Sequence, residues 1–192
     1  MLKYLLNNNF LKKELVFLVC GYFTLLISFI YGENSTGGAI IDYFNQKNVS
    51  IDFSNSFIST LLNYDTYLTR HSPVLIIILS FFENINFSDN VIRLIHLHYC
   101  IILPLFFFKC LEIKFKNINK KILYFITLLI FLSPTFRTLS IWPDSRLSGL
   151  IFFTIAIFFY LKFLNNKKFY FIVLNIIFIA ISSYFSPIFS VF

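Results

Sequence analysis

A chain of 192 residues that is 58% hydrophobic, 21% aromatic and only 13% charged, with a mean hydropathy of +0.78, lies outside the range of water-soluble domains, in which roughly 25% of residues are charged. The net charge of +7 comes from lysines scattered in short stretches between apolar runs. Orientation in a bilayer explains that pattern, and nucleic acid is not an expected partner. Cys20, Cys100 and Cys110 all fall inside apolar runs without metal-ligand or disulfide spacing, so they read as small packing residues.

The first apolar run, about residues 15–31, follows Lys12 and Lys13 and is not followed by a small-residue cleavage pattern, so it reads as a retained first span. An outer loop occupies residues 32–90. Within it Phe53, Phe57, Ile58, Leu61, Leu62 and Leu68 recur at helical spacing opposite Asn55, Ser56, Thr60 and Asn63, the pattern of a juxtamembrane amphipathic helix lying on the membrane surface. Residues 73–82 are apolar but too few to cross, and a crossing there would place the lysines of residues 114–121 outside; they read as a short re-entrant or interfacial helix.

A second span, about residues 91–111, is broken by Pro104 and leads to a basic inner loop over residues 112–121. The third span, about residues 122–136, returns outward to a short loop at 137–148; the fourth and fifth occupy about 149–164 and 169–184. The expected architecture is an all-α integral membrane protein, one membrane domain over residues 1–192 with about five transmembrane helices. The sequence stops at Val191-Phe192 in apolar residues, which reads as the amino-terminal part of a larger domain.

With these spans, Lys3, Lys12, Lys13, Lys109, Lys114, Lys116, Lys120, Lys121, Lys162, Lys167 and Lys168 fall on one face. Glu33, Asp42, Asp52, Asp65, Glu83, Asp89 and Asp144 fall on the other, with Lys47 and the arginines. The lysine face is expected to be cytoplasmic, together with the amino terminus, and the carboxylate face outward.

Asp42, in Gly37-Gly38-Ala39-Ile40-Ile41-Asp42-Tyr43, suits a general base or a metal ligand just above the headgroups; the plainer alternative is a solvated loop aspartate. Asp144 lies at the mouth of the fourth span between Trp142 and Arg146, where it either serves a site or pairs with Arg146 or Arg137. Together the two carboxylates suit Mg²⁺ or Mn²⁺, with Arg70, Arg93, Arg137 and Arg146 as phosphate contacts and His71 as a metal or headgroup ligand. Arg93 has an alternative as a snorkelling residue and Trp142 as an interfacial anchor. His96 and His98, two apart, point to different faces of a helix and do not share a metal.

The order of features resembles the GT-C superfamily of membrane glycosyltransferases, which includes protein mannosyltransferases and the aminoarabinose transferases of lipid A. Arg70-His71-Ser72-Pro73-Val74-Leu75 stands where that family opens a short apolar helix after its first outer loop. Ser88-Asp89-Asn90-Val91-Ile92-Arg93-Leu94 is similar to its arginine-bearing approach to the next span, and Leu132-Ser133-Pro134 with Pro143-Asp144-Ser145-Arg146 to its third-span exit and second acidic site. The resemblance implies transfer of a sugar from a polyprenyl-phosphate-linked donor to a glycan, lipid or protein acceptor at the outer face of a bacterial cytoplasmic membrane. By it, Asp42 is the catalytic acid of the first loop and Asp144 the acid associated with metal or phosphate. The family's paired first-loop acids are absent and Asp42 lies farther from the span, so Glu33 is a rival for the first role.

Overall fold

The computed structural model describes residues 10–35, 37–67, 69 and 72–191, and among them every regular element is helical. In chain order these are α1 (Phe10–Ile30), α2 (Ala39–Asn55), α3 (Phe57–Leu62), a 3₁₀ turn (Tyr64–Tyr67), α4 (Pro73–Asn84), α5 (Asp89–Cys100), α6 (Ile102–Lys114), α7 (Lys120–Leu132), α8 (Pro134–Ile141), α9 (Ser145–Asn166), α10 (Phe169–Phe185) and a final 3₁₀ turn (Pro187–Val191).

Short polar residues start the helices where the apolar pattern begins. Ser72 precedes Pro73 and its Oγ accepts from the Val74 amide; Ser133 precedes Pro134 and accepts from Phe136. Asn119 accepts from Lys121, and Asp144 from both Arg146 and Leu147. Each cap satisfies amides that have no partner within the helix, and proline in the first turn forfeits nothing there.

The interruptions also have identifiable causes. Pro104 has no amide to give Cys100, and the helix tightens at Ile101, whose amide reaches His98 at 3.3 Å instead. The axis carries on, so that Asp89–Lys114 forms one apolar helix of 26 residues. At Ser133-Pro134 the chain turns by 64° between α7 and α8.

Asp89–Lys114 and Ser145–Asn166 are long and apolar enough to cross a membrane, and the bent pair α7–α8 makes a third if taken as one span. Among the described residues the protein is thus all-helical, with two or three helices of the length and composition to span a membrane. Val19–Ile30, Pro73–Asn84 and Phe169–Phe185 are shorter apolar helices. At 12 residues α4 is about 18 Å long, far less than a hydrocarbon core.

Helix α9 packs along α10 and α6, α2 lies on α4, and α1 lies on α7 and α8. Close approach between α1 and α7 depends on Gly21: a Cβ there would meet the buried Phe131 ring at 2.5 Å. Phe23, Ile27, Phe125, Leu129 and Ile176 are exposed on α1, α7 and α10, rows of large apolar side chains that a bilayer covers.

The outer segment differs from the expected single amphipathic helix. A helix does run through residue 53, but it starts at Ala39 and stops at Asn55, because Ser56 takes an extended conformation (φ −153°, ψ 75°). Phe57, Ile58, Leu61 and Leu62 then follow on the separate α3 with their side chains exposed, and Leu68 lies outside the described residues. The expected third span ends at Leu132 rather than 136, and the expected loop at 137–148 is taken up mostly by the end of α8 and the start of α9. Ser-Pro is a helix start as well as a helix stop, and reading only the stop obscured the second helix.

Candidate functional site

Asp42 is placed by a glycine turn. Gly37, at φ +75°, adopts a conformation costly for any residue with a Cβ, and Gly38 caps α2. Asp42 therefore lies in the first turn of a helix rather than in a loop, where the helix dipole favours a carboxylate. Asp144 is the buried N-cap of α9, its Oδ1 accepting from the amides of Arg146 at 2.8 Å and Leu147 at 3.1 Å.

Arg146 brings the two acids together. Its Nη2 donates to Asp42 Oδ2 at 2.9 Å and to Asp144 Oδ2 at 2.7 Å, while Nε lies 3.1 Å from the same Asp144 oxygen. The Arg146 side chain remains 46% exposed and that of Asp42 32% exposed, so the bridge can be reached from outside. Asp42 and Asp144, expected from the sequence to share a divalent cation, are instead each bonded to the one guanidinium of Arg146. A divalent cation shared by the two must displace Arg146, and among the described residues no third histidine, cysteine or carboxylate joins them. The side chains as placed do not fit a metal.

A second bridge ties the end of α1 to α8. Arg137 holds Glu33 bidentately at 2.9 and 2.8 Å, while Ser28 and Ser35 donate to the same carboxylate at 2.6 and 2.9 Å. The Arg137 hydrogen bonds hold the Glu33 carboxyl at about 2, against an ordinary 4.5, with burial opposing and the serines assisting. Glu33 is saturated by these partners, and Arg137 must share or leave it to meet a phosphate.

A third group fixes α2. Tyr43 and Lys47 both donate to Asp89 Oδ1 at the start of α5, and Lys47 also lies 3.6 Å from Glu83 on α4. Burial lowers the Lys47 pKa, but Asp89 and then Glu83 outweigh it and leave it above the usual lysine value. Burial and the Asp89 hydrogen bond raise that of the Tyr43 hydroxyl. Both side chains follow Asp42 on the same helix, so this group sets the height and rotation of Asp42 relative to α5.

Arg93 and Trp142 have roles that their sequence positions did not reveal. Arg93 is only 8% exposed, and its guanidinium carbon lies 3.7 Å from the Trp142 ring centroid and 4.8 Å from that of Phe29. Its Nε donates to the Ile141 carbonyl, and Trp142 Nε1 donates to the Glu33 carbonyl at 3.0 Å. The pair locks the turn between α8 and α9, immediately before Asp144. Arg93 and Trp142 lie 49 residues apart in the sequence, so no local pattern signals the stack, and the snorkelling and anchor readings passed over it.

His96 is buried and bonded to the Leu139 carbonyl, whereas His98 is exposed and meets Tyr22 at 2.9 Å, so the two histidines point apart. Arg70 and His71 lie outside the described residues. A cavity of about 260 Å³ lies between α4, α5, α9 and the end of α10, walled by Leu79, Phe82, Ile92, Tyr99, Phe152 and Phe185 among others, with Asp42, Asp144 and Arg146 outside its lining. Pro143 and Ser148, which flank Asp144 and Arg146 in sequence, also line it. It is smaller than the roughly 300–1,000 Å³ of ordinary small-ligand sites and nearly all apolar, which suits a length of hydrocarbon chain better than a sugar. Against known protein families, characterised proteins and solved structures, the chain finds no match.

Proposed function

We propose that the protein is a membrane glycosyltransferase, or the amino-terminal part of one, that uses a polyprenyl-phosphate-linked sugar at the outer face of a bacterial cytoplasmic membrane. The reading is supported above all by the joining of Asp42 and Asp144 through the half-exposed Arg146, together with an apolar cavity lined in part by Pro143 and Ser148. In this proposal α1, α5–α6, α7, α9 and α10 cross the bilayer, with the lysine face and the amino terminus inside. Helices α2, α3 and α4 lie at the outer boundary.

An acceptor hydroxyl attacks the anomeric carbon, and the bond from that carbon to the lipid phosphate breaks with inversion. Asp42 receives the hydroxyl proton. Arg146 turns its guanidinium towards the phosphate oxygens, where negative charge develops, and Asp144 keeps that side chain aimed. The apolar cavity holds the first part of the polyprenyl chain. Arg70 and His71 remain phosphate contacts argued from sequence, and no step is assigned to a metal.

The test is transfer of labelled sugar from a polyprenyl-phosphate donor in membranes carrying the protein or its Asp42→Asn variant. Loss of at least about 100-fold, with unchanged membrane insertion, is expected for a missing general base. Undiminished transfer in Asp42→Asn eliminates that role.

A second reading is a non-enzymatic membrane subunit whose outer acids bind ions or partner chains. It is favoured by the saturation of Asp144, whose oxygens all face donors from Arg146 and Leu147. It predicts that neither acid affects transfer and that Asp42→Asn only lowers stability.

A further inference from the structure

We infer that the lysine-bearing end of the bundle is a binding surface for anionic phospholipid headgroups. The short turn at residues 115–119 joins α6 to α7, and the turn at 167–168 joins α9 to α10. Lys116 Nζ meets Asn165 Oδ1 at 3.2 Å, and α6 packs on α9, so the two basic turns form one surface.

At this end Glu112 is taken by Lys109 at 2.8 Å and Lys120 at 3.0 Å, and Glu14 lies on the first turns of α1 beside Lys12 and Lys13. Lys114, Lys116, Lys121, Lys167 and Lys168 are exposed and have no ion pair among the described residues. The 22 residues of α9 put them about 33 Å from Asp144, several times the ~8 Å screening length of physiological salt, so the acids of the far end do not offset them.

Charge alone serves orientation in the bilayer, but a second observation points to lipid. Phe115, Ile118, Phe169 and Tyr170 stand among these lysines with 43%, 41%, 75% and 52% of their surface exposed. Ammonium groups interleaved with exposed aromatic and branched side chains match a ligand with a phosphate at one level and acyl chains just beneath it. A soluble phosphate uses only the first part of that surface.

The test uses the full chain in detergent, titrated with dioleoyl phosphatidylglycerol or dioleoyl phosphatidylcholine and read by native mass spectrometry. The wild type is expected to hold phosphatidylglycerol about tenfold more tightly or better, and K116Q/K121Q/K167Q/K168Q to lose that preference. The corresponding arginine variant keeps it. Equal affinity for the two lipids in the wild type overturns the inference, as does an undiminished preference in the glutamine variant. So does displacement of the lipid by millimolar inorganic phosphate. Should the glutamine variant fail to fold, the wild type decides: a preference unchanged between about 50 and 500 mM salt also overturns it.

Discussion

The two ends of the helical bundle handle charge in opposite ways. At the carboxylate end Arg146 joins Asp42 to Asp144, Arg137 grips Glu33, and Lys47 meets Asp89 and Glu83, so each ion pair ties two or three helices together. At the lysine end most of the charges stand on short turns and are exposed, with Glu112 paired to Lys109 and Lys120. The first end is built from arginines together with Lys47, and the planar fork of arginine suits fixed bidentate contacts. The second is built from lysine, a flexible point charge that remains hydrated. The lesson is that net charge in a membrane protein divides into charge that shapes the fold and charge that addresses the surroundings.

Arg146→Ala attacks the difference most directly. It leaves the buried Asp144 without its counter-ion, and a loss of about 3 kcal/mol is expected in denaturant titrations in detergent, with α2 loosened from α9. Glu33→Gln removes the charge from a four-sided hydrogen-bonded site and is expected to cost about 2 kcal/mol.

Titration sharpens that second case. Because the folded Glu33 sits at about 2 and its ordinary value is 4.5, its contribution is complete above pH 4.5 and disappears as pH falls towards 2. Melting of the wild type should therefore lose ground across that interval, and Glu33→Gln should lose correspondingly less. Identical slopes in the two proteins contradict the assignment. At the opposite end, Lys168→Gln should change stability by less than about 0.5 kcal/mol, since no contact between helices depends on it. The smallest effect concerns metal: millimolar Mg²⁺ or Mn²⁺ should leave the melting temperature unchanged. A clear rise would show that a cation takes the place of Arg146 between the two aspartates.

Much of this organisation is legible in the residues. Apolar run lengths identify α9 and the α5–α6 helix, and the twelve-residue α4 is correctly too short to cross. Asp144 next to Arg146 pointed to their pairing, since an N-cap aspartate two residues before an arginine places both groups at one helix mouth. What remained hidden depends on long-range geometry. No local pattern says that Arg146, rather than a metal, stands between Asp42 and Asp144. Nor does one say that Arg93 is held between Phe29 and Trp142 instead of reaching for the interface. The α2 helix was also obscure, because Asp42, Asn45, Gln46, Lys47, Asn48 and Ser50 dilute its apolar face. Its buried side, through Tyr43, Gln46, Ser50 and Phe53, is half polar and is recognised only once α4 is seen against it.

The Asp42–Arg146 bridge has a consequence for biosynthesis. Its partners lie 104 residues apart in the chain, as do Glu33 and Arg137. At ordinary elongation rates of 5–20 residues per second, each acid leaves the ribosome about 5–20 s before the arginine that neutralises it. During that interval the nascent chain carries Glu33 and Asp42 beside the bilayer without counter-ions.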